Sequence, residues 1–133
     1  MLTTQDLRIN NLVQDDSSRN AIVKAISSNT VKLTAVNGVY RCESFEDSRI
    51  FGIQLTDEYL INKASFLMVG NHYIFHSEDL VTSLRLIPSN DGYFYPQIFQ
   101  EPEMSNESEQ VICLHRIEFI HELQNLIYTI FKK

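Results

Sequence analysis

Between Leu7 and Ile53 the chain alternates short apolar runs with polar turns. Leu12-Val13 precedes the polar stretch Gln14–Ser18, and Ala21–Ile26 precedes Ser27-Ser28-Asn29. Val31–Thr34 and Val39–Cys42 then flank Asn37-Gly38. An Asn-Gly pair between two β-rich runs predicts a tight hairpin, because both central residues of a type I′ turn need positive φ. Glu43–Arg49 reads as a charged loop, with Ile50–Ile53 returning to close the sheet. Brief strands at this spacing predict a small SH3-like β-barrel or strongly bent sheet.

The pattern then changes period. Thr56 is placed to cap a helix ending near Ala64, with Asp57 and Glu58 in its positive first turn and Leu55 set to staple to Leu60. After Gly70-Asn71, strands are expected at His72–His76 and Leu80–Ile87, then at Tyr93-Phe94-Tyr95 beyond the turn Pro88–Gly92, and at Val111–Ile117. Gln100–Gln110, polar and acidic with Pro102, reads as a loop. From Glu118 to Phe131 the period is helical. Phe119, Ile120, Leu123, Leu126, Ile127, Ile130 and Phe131 fall in one arc about 140° wide, opposite a stripe of His121, Gln124, Asn125 and Tyr128. A helix this short is marginal alone, so its apolar face must be buried.

The fold expected is α+β: the N-terminal β module, the middle helix, then an antiparallel sheet packed by the C-terminal amphipathic helix. One unit over 1–133 is expected, with 1–54 (β-rich) and 55–133 (α+β) as candidate sub-modules. At 133 residues and 44% hydrophobic, with eight Phe and six Tyr, the chain can build a core without disulfide or metal.

Charge narrows the function. The net charge of −6 comes entirely from residues 56–133, which hold five basic and eleven acidic side chains against six of each in 1–55. No basic stripe of the kind that displaces counterions from phosphates is visible, so nucleic acid is disfavoured as a partner. No stretch approaches the roughly 18 apolar residues that span a bilayer. Met1–Asp6 carries no basic region followed by an apolar run, and a cytoplasmic location is expected, with Cys42 and Cys113 as buried thiols.

Candidate chemistry is sparse. His121-Glu122 lacks the second histidine of a zinc-protease helix, since position 125 is Asn. His72 and His76 would lie about 13 Å apart on a strand, too far for one metal. Only four glycines occur, and none sits in a phosphate-binding or nucleophile-elbow motif. The acid pairs Asp15-Asp16, Glu46-Asp47 and Glu78-Asp79 fall in turn-like settings, where carboxylates are solvated and untuned. No catalytic residue, metal site or cofactor is assigned.

Three stretches are similar to a family of small uncharacterised proteins of Bacteroidota genomes and their phages. Leu7–Val13 resembles its opening LRIGNLV, Ile53–Leu60 its IPLTEEWL, and Phe119–Leu126 its C-terminal YVHQLQNL. Asn10 stands where the family has Gly, a position at which Asn still tolerates left-handed φ. The glycine the family places after its middle helix is missing here. The resemblance implies a common fold and a cytoplasmic origin, and brings no activity.

Two surfaces remain as interaction candidates. The stripe His121, Gln124, Asn125 and Tyr128 could make directional hydrogen bonds to a protein partner or a second copy, or lock the helix to loop backbone of its own domain. Tyr93 and Tyr95, expected to share one face of a strand while Phe94 enters the core, could anchor a peptide or stack a base. The leading expectation is a non-enzymatic interaction or accessory module of phage or mobile-element origin. The alternatives are a nucleic-acid-associated protein using the N-terminal β module, and an enzyme whose site gathers His115, His121 and a turn carboxylate.

Overall fold

The computed structural model of the chain describes residues 2–36, 43–46, 49–78, 81–100 and 110–132. It divides into two units, 1–54 with 119–133, and 55–118. The Asn37-Gly38 turn, the Val39–Cys42 run and residues 101–109 of the acidic loop lie outside the described residues.

In the first unit, strands β1 (Leu12–Gln14), β2 (Asn20–Ile26), β3 (Thr30–Ala35) and β4 (Glu43–Glu46) form an antiparallel sheet in sequence order. The sheet is open, not a closed barrel. Among the described residues a single bridge, Gln14 to Phe51, brings the returning segment onto the free edge of β1. The register between β2 and β3 shifts from Val23↔Leu33 to Ala25↔Lys32, so Lys24 sits in a bulge that bends the sheet. Strand β4 corrects the expected charged loop at Glu43–Arg49. It pairs with β3 and buries Phe45 between exposed neighbours. Alternate positions Val13, Val23, Val31, Leu33 and Phe45 meet Leu2, Leu7 and Ile50 in one core.

The β1–β2 turn is organised by Asp15, which is 5% exposed. Its carboxylate accepts from the N–H groups of Ser17 (2.9 Å) and Arg19 (3.0 Å) and from Arg19 Nε (2.8 Å). Burial pushes this carboxyl upward, but the bonds from Arg19 and Ser17 outweigh it and hold it below the usual value. Asp15 is thus a turn anchor, and its neighbour Asp16 pairs with Arg49 at 2.6 Å.

The second unit opens with helix α1 (Asp57–Asn62), shorter than expected. Thr56 Oγ1 accepts from Tyr59 N–H at 3.2 Å, as a cap should, and Leu55 and Leu60 are both buried. Strands β5 (Leu67–Val69), β6 (His72–His76), β7 (Thr82–Pro88), β8 (Phe94–Gln100) and β9 (Gln110–Cys113) follow as an antiparallel meander in sequence order. Gly70 (φ +62°) supplies the positive φ at the first central position of the two-residue β5–β6 turn. The core includes Phe66, Tyr73, Leu84, Leu86, Phe94 and Ile117. Burial, with a hydrogen bond to Asp57, pushes the Tyr73 hydroxyl up to about 12.

The C-terminal helix α2 (Ile120–Phe131) belongs with the first unit, where it contacts β1. This differs from its expected place on the 55–133 sheet, and the backbone shows why. Gln54 bridges to Phe119 and Ile120 N–H donates to Ile53 O at 2.8 Å, tying the helix start to the end of the first β module. Phe119 N–H donates to Glu122 Oε1 (3.0 Å), closing the first turn.

Candidate functional site

In the first unit, α2 and the Arg8–Asn11 turn border a cleft of about 580 Å³, lined by Arg8, Ile9, Asn10, Asn11, Gln124, Asn125 and Tyr128. The turn is set by Asn10, whose φ of 77° is left-handed, and by bonds from Asn10 N–H to Val23 O (2.8 Å) and from Val23 N–H to Asn11 O (2.9 Å). Asn11, 3% exposed, is the hinge pin. Its Oδ1 accepts from Arg8 N–H at 2.7 Å, and its Nδ2 donates to Asn125 Oδ1 at 2.8 Å and to Gln124 Oε1 at 3.4 Å.

Gln124 Oε1 also accepts from Leu12 N–H at 2.7 Å, and Asn125 Nδ2 donates to Asp6 O at 3.1 Å. Two members of the polar stripe therefore bind backbone and side chain of residues 6–12 within their own unit, building the cleft wall. Tyr128, 43% exposed, lies under the Arg8 guanidinium, whose carbon is 3.5 Å from the ring centroid. Lys132 Nζ is 5.9 Å from the same ring.

His121, the third member of the stripe, is neither an open contact residue nor a hydrogen-bonded lock. It is 2% exposed, stacked 5.8 Å from the Phe119 ring, and its Nδ1 has no hydrogen-bond partner among the described residues. Burial lowers its pKa below the ordinary 6.5, while the carboxylates of Glu122 and Asp6 pull the other way. The sign follows from linkage. Below pH 6.5 the unfolded chain takes up a proton that folded His121 refuses, so this contribution to stability is full above 6.5 and falls as the pH drops toward the lowered folded value. His121→Leu is expected to flatten the loss of stability between pH 7.5 and 5.5. Urea unfolding at both pH values checks it, and an unchanged slope would refute the assignment.

No family model, curated protein or solved structure matches the chain.

In the second unit Phe94 is buried and Tyr95 exposed, but the tyrosines already have an intramolecular companion. The Arg116 guanidinium carbon lies 3.9 Å from the Tyr93 ring centroid, and Arg116 Nη1 is 4.0 Å from Asp91 Oδ2. A hydrogen bond with Tyr95, together with charge from Tyr93 and Asp91, raises the Arg116 pKa further. The face proposed for stacking is thus covered on Tyr93 by the chain's own arginine.

His115, exposed in the second unit, has Nδ1 3.0 Å from Arg116 O, a local contact. Among the described residues no group of three or more His, Cys, Asp and Glu is placed to hold a metal ion. Cys113 is exposed on edge strand β9, correcting the expected buried thiol, while Cys42 lies outside the described residues. No described helix is long and apolar enough to cross a membrane.

Sequence reasoning missed Arg8, Ile9 and Asn11 as site residues. The one signal that pointed to them was Asn10, whose tolerance of left-handed φ marked a turn. A second unforeseen feature is apolar exposure along both edges of the five-stranded sheet, at Leu67, Met68 and Val69 on β5 and at Val111 and Ile112 on β9.

Proposed function

We propose that the chain is a non-enzymatic interaction or accessory module that recognises a protein partner through the cleft between the Arg8–Asn11 turn and α2. The observation carrying this reading is the cleft of about 580 Å³ whose walls are fixed by the Asn11, Gln124 and Asn125 amides while Ile9 (59% exposed) and Tyr128 remain open. A rigid rim with an exposed aliphatic and an aromatic side chain is what a docking surface needs, since little ordering entropy is lost on binding. The amides of the stripe then serve the cleft as scaffold, and Tyr128 with Ile9 makes the contact. The resemblance of Leu7–Val13 and Phe119–Leu126 to the phage-associated family supports an accessory role of mobile-element origin, because these two stretches hold every residue of the cleft but Tyr128.

Affinity recovery from lysate of the source organism tests the reading with three forms of the chain. Wild type and Val69→Asp, altered on the apolar edge of β5, should recover the same partner, and Ile9→Asp should lose it. If Ile9→Asp recovers the partner as well as wild type does, the cleft is not the recognition surface. Loss with Val69→Asp alone would transfer the role to the sheet edge.

A further inference from the structure

Resting on that reading, we infer that the cleft takes a carboxylate side chain from an acidic segment of the partner protein, held by Arg8 and Gln124.

Charge complementarity is the first argument. Arg19, Arg49 and Arg116 each have an aspartate, at 2.8, 2.6 and 4.0 Å. Among the described residues no carboxylate lies within ion-pairing distance of Arg8. The nearest acidic residue in sequence, Asp6, is engaged with Thr3, its Oδ2 accepting from both Thr3 N–H and Thr3 Oγ1 at 2.9 Å. Lys132 adds a second positive charge over Tyr128, at the end of α2 where the helix dipole is negative, and so offsets that dipole. By sequence the first unit holds eight basic and seven acidic residues, so this local excess sits on a near-neutral background.

The inventory of donors and acceptors is the second argument. Gln124 Oε1 is fixed as the accepting atom by Leu12 N–H, which can only donate. Its Nε2 is therefore the other end of the amide, a donor with no partner among the described residues. The acceptors of Asn11, Gln124 and Asn125 are all engaged within the wall. What the cleft lining offers a ligand is thus chiefly N–H: the guanidinium of Arg8 and the amide of Gln124, with the Lys132 ammonium beside its Tyr128 wall.

Preorganisation is the third. Stacking on Tyr128 engages one face of the guanidinium and leaves its edge, the fork that matches a carboxylate, directed elsewhere. The Arg8 backbone is held by Asn11 Oδ1. Exposed Ile9 supplies an apolar contact for the aliphatic stem of a glutamate or for its neighbour.

The test is a nitrogen-15 NMR titration of the full chain with a capped peptide of alternating glutamate and leucine, its glutamine counterpart, and inorganic phosphate. The glutamate peptide should shift the Arg8 Nε–H, the Gln124 side-chain amide and Tyr128. The glutamine peptide should bind about tenfold more weakly or worse, the value of a hydrogen bond to a charged group. Arg8→Gln should bring the two peptides level while the melting temperature stays near that of wild type, since half-buried Arg8 has no ion pair to lose among the described residues and its N–H bond to Asn11 is kept.

Equal binding of the two peptides, or binding of neither, overturns the carboxylate inference. So does discrimination that survives in Arg8→Gln. Phosphate saturating the same resonances more tightly than the glutamate peptide would replace the acidic segment with a free anion. Each of these results leaves the interaction reading standing, because that reading falls only on the Ile9→Asp recovery.

Discussion

Asn11→Ala is expected to lower the unfolding free energy by about 2–4 kcal/mol, the largest effect of any single change at the cleft. The side chain is almost wholly buried, and both ends of its amide are engaged. Truncation leaves Arg8 N–H without its 2.7 Å acceptor and Asn125 Oδ1 without its 2.8 Å donor, in a place where water has limited access. Orphaned buried polar groups cost about 1–3 kcal/mol each, more than the net gain from making the bond.

Asn11→Asp separates the two ends. It keeps the acceptor for Arg8 N–H but sets a carboxylate oxygen against Asn125 Oδ1 and Gln124 Oε1. It should therefore be at least as damaging at pH 7 and partly recover in acid, as protonation restores a donor. Urea unfolding monitored by tyrosine fluorescence measures both variants. A loss below about 0.5 kcal/mol for Asn11→Ala, the range of neutral surface changes, would mean that the amide network is incidental.

How much of this could be read from the chain depends on the range of the interaction. Helix α2 was legible because seven apolar positions repeat with the helical period, and α1 because Thr56 is a local cap followed by two acids. The β5–β6 turn announced itself through Gly70-Asn71. Strand β4 did not, since Glu-Ser-Phe-Glu has only one apolar residue, and a four-residue strand with one covered face needs no more. Strand β5 is three residues long, too short for any period, and all three side chains are exposed.

The site was legible in half. The stripe on α2 was visible, but its partners lie more than a hundred positions away, and no local pattern says that Asn11 meets Gln124 and Asn125. His121 shows the same limit. Its polarity placed it with the stripe, whereas its burial comes from packing beside Phe119 that only the tertiary fold creates. Cys113 sits in an alternating segment, yet β9 is an edge strand on which all four residues are exposed, so alternation there does not separate inside from outside.

Gly52→Ala is expected to destabilise the first unit by about 1–3 kcal/mol, and the reason lies in how α2 is attached. A Cβ on Gly52 would fall 2.6 Å from Phe119 Cγ, 2.8 Å from Cδ1 and 3.0 Å from Cδ2. Gly52 does not have positive φ, so the cost is steric rather than conformational. The ring has little room to retreat. Phe119 is bridged to Gln54, its N–H is held by Glu122, and its other neighbour is the stacked His121 ring. Because Phe119 is the residue from which α2 departs, any shift of its backbone carries toward Gln124 and Asn125 and so toward the cleft.

A double-mutant cycle with Phe119→Leu isolates the contact. Leucine removes the ring that alanine would strike, so the paired change should cost less than the sum of the two single changes by about 1 kcal/mol or more. Strict additivity would show that the ring moves freely and that Gly52 is not what seats the helix. If the coupling is found, the peptide titration of Gly52→Ala should also weaken, since the glycine then acts on the cleft through the position of α2.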